Sequence, residues 1–448
     1  MRRSRLFGWV AVVLMLGGGI SRVALGADSA LEERVRTLEQ KLEAQQKKST
    51  TEQGSIQERV DAIEKEVKAS EKSLAEKLGL TFHGLVAVDY LYDINRPDGA
   101  QPALRTFEDK RNSFLLNLAK LHIERQSETG LGFVTDLDFG ETGKIVNNTT
   151  YFGKTDDQGQ DITGNGTDFF DFSQFYLTYT VPVGSGIKLK AGRFVTLAGA
   201  EVIKTYNNIN YNVTNSILFG YAIPFTHTGI MGSYAFNDQV SVDLGLVNGW
   251  DTVADNNDGK SFHGGISIVP HPKVSLYICA MYGPEQTAHS VTDNLGNTLM
   301  VHPGLSKRLL LTTVLTVKPT DKLTLILDHD YGRESDVVPR DGDLQTAEWH
   351  GVAGYITYAF TDAFSATLRA EVFADMDGAR VLGFPNGGNG LASTYYEFTP
   401  TLTYKIVDGL VWRNEYRHDE SDTKKAFPRE KTFARGQDTL ATELVYTF

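Results

Sequence analysis

Charged residues two apart recur along runs that are otherwise apolar or small: Asp136 and Asp138, Lys188 and Lys190, Arg369 and Glu371, and the triple Arg413, Glu415 and Arg417. In an extended strand that spacing puts side chains on one face, and Lys120 falls on the same face of its own run. Facing carboxylates can serve as general acid and base, but strand spacing selects no pair. HExxH, GxxxxGK[ST] and GxSxG are all absent, so the zinc-protease, phosphate-loop and serine-hydrolase chemistries have no signature here. The ten histidines lack metal-ligand spacing, His227 and His329 reading as structural or rim residues within strands. The single cysteine, Cys279, excludes a disulfide framework or a Cys-rich metal centre. Asp156, Asp157, Asp161 and Asp168 do not have the spacing of a calcium loop, and 141–168 reads as a solvated connection. No catalytic residue, metal or cofactor is expected. What remains is a charged strand face that lines water.

The elements that must carry such a face are short alternating strands. After residue 78 the hydrophobic period becomes two: Phe364, Ala366, Leu368, Ala370 and Val372 alternate with Ser365, Thr367, Arg369 and Glu371. Runs of about ten residues with this pattern are what a tilted strand needs to cross a bilayer. Sixteen such runs start near 80, 111, 131, 169, 187, 225, 239, 261, 273, 306, 322, 348, 363, 393, 409 and 438. Every second connection is tight, as at 182–186, 271–272 and 361–362. The others are long and polar, roughly 95–110, 141–168, 197–224, 250–260, 284–305, 333–347, 376–392 and 419–437. A soluble sandwich has no reason to sort its loops by parity, whereas an outer-membrane barrel does. The expected fold is an all-β transmembrane barrel of about 16 antiparallel strands, preceded by an α-helical coiled-coil segment.

That segment and the residues before it read separately. Arg2, Arg3 and Arg5 precede an apolar run, 6–20, too short to span a bilayer, and Ala24-Leu25-Gly26 offers a small-residue cleavage site. Residues 1–26 are therefore expected to be a signal peptide. In 27–78, Leu31, Val35, Leu38 and Leu42, then Ile56, Val60, Ile63 and Val67, mark two a/d seams whose phase slips near 49–54. This region is expected to be a periplasmic coiled coil, and 79–448 the outer-membrane barrel. The composition agrees: 41 % apolar and 22 % charged residues are too polar for a bundle of membrane helices, and 10 % aromatics are too many for a disordered chain. A net charge of −12 disfavours a nucleic-acid partner.

The last strand places Leu440, Leu444, Tyr446 and the terminal Phe448 on one face, resembling the signal by which outer-membrane barrels engage the barrel-assembly machinery. The stretch 189–203 (LKAGRFVTLAGAEVI), with 175–181 (FYLTYTV) before it, resembles the OmpL-like β-barrel porin family, in which a strand ending Gly-Arg/Lys-Phe leads into a loop carrying Gly and Glu. A coiled coil ahead of a sixteen-stranded barrel also resembles phosphate-selective and dicarboxylate trimeric porins, in architecture only. The resemblance implies passive diffusion of small hydrophilic solutes or ions through a water-filled channel in the outer membrane of a Gram-negative-type bacterium, most simply as a homotrimer embedded in the lipid bilayer. Two other readings stand beside it, an outer-membrane barrel enzyme and a structural tether to the cell wall.

On the porin reading the pore-lining candidates are Lys120, Asp136, Asp138, Lys188, Lys190, Arg193, Glu201, Lys204, Arg369, Glu371, Arg413, Glu415 and Arg417. Arg193 falls on the outward parity, so a bulge at Gly192 is expected to turn it from lipid. Segment 197–224 holds only Glu201 and Lys204 as charges and is rich in Asn, Tyr and Ile; a long loop that apolar is expected to fold into the barrel and narrow it. Of the 56 acidic and 44 basic residues, 12 acids and 14 bases precede residue 79, which leaves 44 acids and 30 bases in the barrel. That excess predicts weak cation preference, unless Lys188, Lys190 or Lys204 overrides it at the constriction.

Overall fold

The structure is a computed structural model. It describes residues 33, 36, 37, 39–41, 78–96, 102–108, 110–125, 130–151, 169–302, 304–381, 392–422, 426–430 and 432–448. The signal peptide and the a/d positions of the coiled coil lie outside the described residues; Glu33, Arg36, Thr37, Glu39, Gln40 and Lys41 are helical. The second unit of the chain, Gly79–Phe448, is a barrel.

Sixteen antiparallel strands close it. They are β1 (Thr81–Asp93), β2 (Ser113–Arg125), β3 (Leu131–Phe139), β4 (Phe170–Val181), β5 (Ile187–Val195), β6 (Thr226–Ala235), β7 (Val240–Val247) and β8 (Ser261–His271) in the first half. The second half is β9 (Val274–Pro284), β12 (Lys307–Thr320), β13 (Leu323–Arg340), β14 (Asp343–Ala359), β15 (Phe364–Asp375), β16 (Ser393–Val407), β17 (Leu410–Ser421) and β20 (Gly436–Thr447). Two small hairpins lie in the connections: β10 (His289–Thr292) with β11 (Thr298–Val301), and β18 (Phe427–Arg429) with β19 (Thr432–Ala434).

Each expected strand is present, and the exposure pattern is that of a protein whose outer solvent is lipid. On β15, Thr367, Arg369, Glu371 and Phe373 are buried while Ala370 and Val372 are exposed. Phe114, Phe175, Leu177, Ile230, Leu244, Leu246, Ile356 and Leu402 are likewise exposed on the outside. In hydrocarbon every backbone N–H and C=O must be paired within the protein, and a closed antiparallel ladder does this without edges. Aromatic residues gather near the short-turn end, where Phe360 stacks on Phe364 and Tyr446 on Phe448, as expected of an interfacial girdle. Closure joins β1 to β20, and the terminal residue extends the pairing: Phe448 donates its N–H to the Gly84 carbonyl at 3.0 Å, and Gly84 donates back at 2.8 Å. A Cβ on Gly84 would sit 2.2 Å from the Phe448 ring, so that ring position requires glycine.

Three expectations need correction. The connection at 333–347 is not a long polar loop: β13 and β14 run on and meet at Asp341-Gly342, with φ of 55° and 88°. Both central residues having positive φ is the hairpin turn that an Asp-Gly pair favours. The connection at 141–168 is not wholly solvated, because it opens with helix α1 (Glu141–Tyr151), whose Ile145 and Val146 are buried. Asp156, Asp157, Asp161 and Asp168 lie outside the described residues. Third, the register through Gly192 is unbroken on both sides. The extra residue lies instead in β4, where Ser173 is skipped between the pairs Asp136–Gln174 and Leu137–Phe172. Gly192 still bends the strand, with φ of 138°, and Arg193 is buried with Nη1 2.8 Å from Asp171 Oδ1 and 2.8 Å from the Phe172 carbonyl. Its charge avoids lipid through a carboxylate on the neighbouring strand.

Candidate functional site

Segment 196–225 enters the barrel from the long-loop side and, beside β1 and β20, reaches the short-turn end, where Tyr206 stacks on His83 at 3.9 Å and Ile209 packs with Leu85 and Val445. Apart from the short helix α2 (Ile217–Tyr221) and a single bridge between Thr205 and Asn208, it forms no regular structure. Buried backbone polar groups without a ladder must find other partners, and here the strand wall supplies them. Glu415 accepts from the Val213 and Thr214 N–H groups at 2.7 and 3.1 Å, and Glu371 from Ile217 and Leu218 at 2.6 and 3.0 Å. Asp328 accepts from Ala200 N–H at 2.8 Å. The carbonyls are met by cations: Arg413 Nη1 donates to Ile209, Asn210 and Asn212, each at 3.0 Å, and Arg369 Nη1 to Thr214 at 2.7 Å. Arg417 donates to the Asn215 carbonyl, and Trp349 Nε1 to Ala222 at 3.1 Å.

The charges are also matched with one another. Arg369 lies 2.7 Å from Glu201 of the segment and 2.7 Å from Glu397 of the wall. Glu443 is shared by Arg413 and by Lys204 of the segment, the latter at 2.6 Å. Asp419 joins Arg417 at 2.8 Å and Arg105 at 2.6 Å. All of these side chains are buried. Breaking a buried pair by removing one partner costs about 3–5 kcal/mol, because the other charge is left uncompensated. The other side of the segment is apolar: Ile203, Ile217, Leu218, Phe219, Ile223 and Phe225 form one buried cluster with wall residues Phe194, Met231, Met281, Leu310, Trp349 and Phe373, joined by Leu104, Phe107, Ile145 and Val146 from two other connections. The segment is thus a plug held by ion pairs and backbone clamps from strands β13–β20 and by apolar packing against strands from β5 to β16.

Seven of the thirteen candidates are therefore drawn to this plug: Glu201 and Lys204 on it, and Arg369, Glu371, Arg413, Glu415 and Arg417 gripping it; Arg193 pairs instead with Asp171 of β4. Lys120 stands apart on β2, 3.3 Å from Asp136 and 3.0 Å from Asp138, with His122 on the other Asp136 oxygen. Lys188 is exposed next to the 182–186 turn, and Lys190 lies half-buried against the rings of Phe194 and Tyr176. Strand parity does not reach residues that lie in connections, so Arg105, Glu108 and Asp251 were not indicated by it. Glu108 accepts from Asn215 N–H, and burial raises its carboxyl above the usual range. Asp251 accepts from Phe225 and Thr226 N–H at 2.6 and 2.9 Å; burial pushes it up to about 6, partly opposed by those hydrogen bonds and by Arg380 and Arg193.

Toward the short-turn end the inner wall is different. Tyr176, Thr178, Thr180, Lys190, Ser233, Asp243, Ser267, Tyr277, Thr316 and Thr324 are partly exposed, giving a polar vestibule wall. Among the described residues there is no group of three His, Cys, Asp or Glu side chains placed to hold a metal.

A family model described as "Putative beta-barrel porin-2, OmpL-like" matches residues 79–448. The chain belongs to that porin family. Its barrel is also similar to the outer membrane channel DcaP of Acinetobacter baumannii, at 13 % identity over 82 % of this chain and 97 % of that one, with a TM-score of 0.51. It is similar to an anion-selective porin from Comamonas acidovorans at 10 % identity, over 82 % and 99 % of the two chains, with a TM-score of 0.50. At such identities the likeness concerns the fold. No curated protein matches the chain in sequence. Family and architecture together make this an outer-membrane porin, a barrel for passive diffusion of small solutes.

Proposed function

We propose that this porin is a non-enzymatic channel of low conductance, whose passage is restricted by the plug at 196–225 and widens when the plug's polar anchors are loosened. The observation that carries this reading is the pairing of a partly exposed polar wall, on the β4–β13 side of the short-turn end, with a clamped, irregular segment that fills the rest of the lumen. Such a segment depends on about a dozen side-chain contacts and not on a ladder of its own. The short turns face the periplasm and the long connections face outside. Chains leave the cytoplasm through the signal peptide 1–26 and are folded into the bilayer by the barrel-assembly machinery. They assemble as homotrimers, with 27–78 forming a periplasmic coiled coil. On this view seven of the thirteen candidates anchor the plug, Lys120, Asp136, Asp138 and Arg193 are paired within the wall, and Lys188 and Lys190 are the ones that meet solute continuously.

Reconstitution of the full-length chain into planar bilayers tests the reading. Discrete, small unitary steps in KCl are expected; a membrane that stays non-conducting at high protein load overturns it.

A further inference from the structure

The acidic excess of the barrel suggests that cations pass, but the positions of the charges argue otherwise. The carboxylates along the plug are occupied: Glu371 and Glu415 are bound to backbone N–H groups, and Glu201, Glu397, Glu443 and Asp419 lie against arginine or lysine. A charge that is buried and neutralised contributes little to the potential felt by a passing ion. Lys204, the segment's own cation, is also cancelled by Glu443.

The vestibule holds a charge of a different kind. Lys190 points inward from the middle of β5, opposite Thr178 on β4 and Met231 on β6. Among the described residues no carboxylate lies within ion-pair distance of it. Its ammonium sits 4.2 Å from the centroid of Phe194 and 5.8 Å from that of Tyr176, two rings at 87° to each other. Ring faces stabilise a cation without neutralising it, and Lys190 is partly exposed on the inner wall, so its charge acts on the lumen. Asp243 is the nearest opposing charge among the vestibule residues; it accepts from the Ser233 hydroxyl, and Ser233 pairs across β5–β6 with Lys188, not with Lys190.

We propose that Lys190 and Tyr176 form a solute-recognition site for small carboxylates, with aromatic carboxylates held best. The carboxylate meets the ammonium, and the partly exposed Tyr176 ring offers an apolar surface for a flat group to lie against. This rests on the diffusion-channel reading and adds the solute class to it.

The test uses the full-length protein in planar bilayers. In a tenfold KCl gradient the reversal potential should show chloride passing more readily than potassium, and Lys190→Gln should abolish that preference. Asp243→Asn should strengthen it. Benzoate should block chloride current at a lower concentration than acetate. Lys190→Gln should raise the half-blocking concentration of both by on the order of tenfold, equivalent to about 1.4 kcal/mol. Tyr176→Leu should remove the advantage of benzoate over acetate while leaving acetate block in place. Conductance with cation preference unaffected by Lys190→Gln, or benzoate and acetate blocking alike in the unsubstituted protein, overturns the site but leaves the channel. Absence of any conductance would instead overturn the channel reading.

Discussion

At the scale of single residues, the plug is held by side chains whose removal leaves buried partners stranded. Arg369 is the clearest case, since it satisfies two carboxylates and the Thr214 carbonyl at once. Arg369→Ala should leave Glu201 and Glu397 without their counter-charge, at a cost of about 3–5 kcal/mol to the closed arrangement. The expected outcome is a severalfold rise in unitary conductance with frequent flickering, read in planar bilayers, while the barrel stays folded on a heat-modifiability gel. Asp251 supplies a pH dependence. Its carboxyl is held at about 6 by burial, above the unfolded value near 3.9, so the anchored state binds the proton more tightly than the released one. The stabilisation is complete below about pH 4 and is lost as pH rises through about 6. Native-state hydrogen exchange at Phe225 and Thr226, corrected for intrinsic rates, should show opening becoming easier between pH 4 and 7, with that slope absent in Asp251→Asn.

At the scale of elements, the strands were legible because lipid leaves little freedom. An outward face must be apolar, an inward face bathed in water can be polar, and turns alternate with loops, so period and parity both appear in the sequence. Where a strand exceeded its expected length, at β13 and β14, the signal was present in Asp341-Gly342 but hidden within a stretch that is polar on both faces, as a hairpin clear of the membrane can be. The plug's entry was legible from its lack of charge. Its partners were not, because backbone groups without a ladder take whatever side chains the folded wall presents, and that depends on depth within the lumen, not on spacing along the chain. Gly84 makes a prediction for the closing strands. Because a Cβ there would meet the Phe448 ring, Gly84→Val should displace the terminal aromatic and slow barrel assembly, as should deletion of Phe448. Pulse-chase labelling with heat-modifiability as readout should show unfolded chains persisting in both variants. Normal assembly of both would detach the terminal residue from that role.

At the scale of the whole molecule, the barrel and the region before it place different demands on their surroundings. The barrel closes on itself, leaves no edge strand in its wall, and buries the charges that grip the plug without help from another chain. On the proposed coiled-coil reading the a/d stripes of 27–78 are narrow, and a helix with two apolar positions per heptad would satisfy them best against copies of itself. The two parts should therefore be separable in their effect on assembly. Deleting 28–78 should leave a barrel that folds and shows the same unitary conductance, yet dissociates from its oligomer at lower temperature or lower detergent concentration than the full-length protein. Native mass spectrometry of both forms gives the readout, with trimers expected for the full-length chain. Barrel–barrel contacts through the exposed apolar belt can hold copies together in the membrane, but detergent competes for that surface directly, whereas a coiled coil in water is untouched by it. A full-length protein that is monomeric, or a deletion form as resistant as the parent, would show that 27–78 does not hold the protomers together.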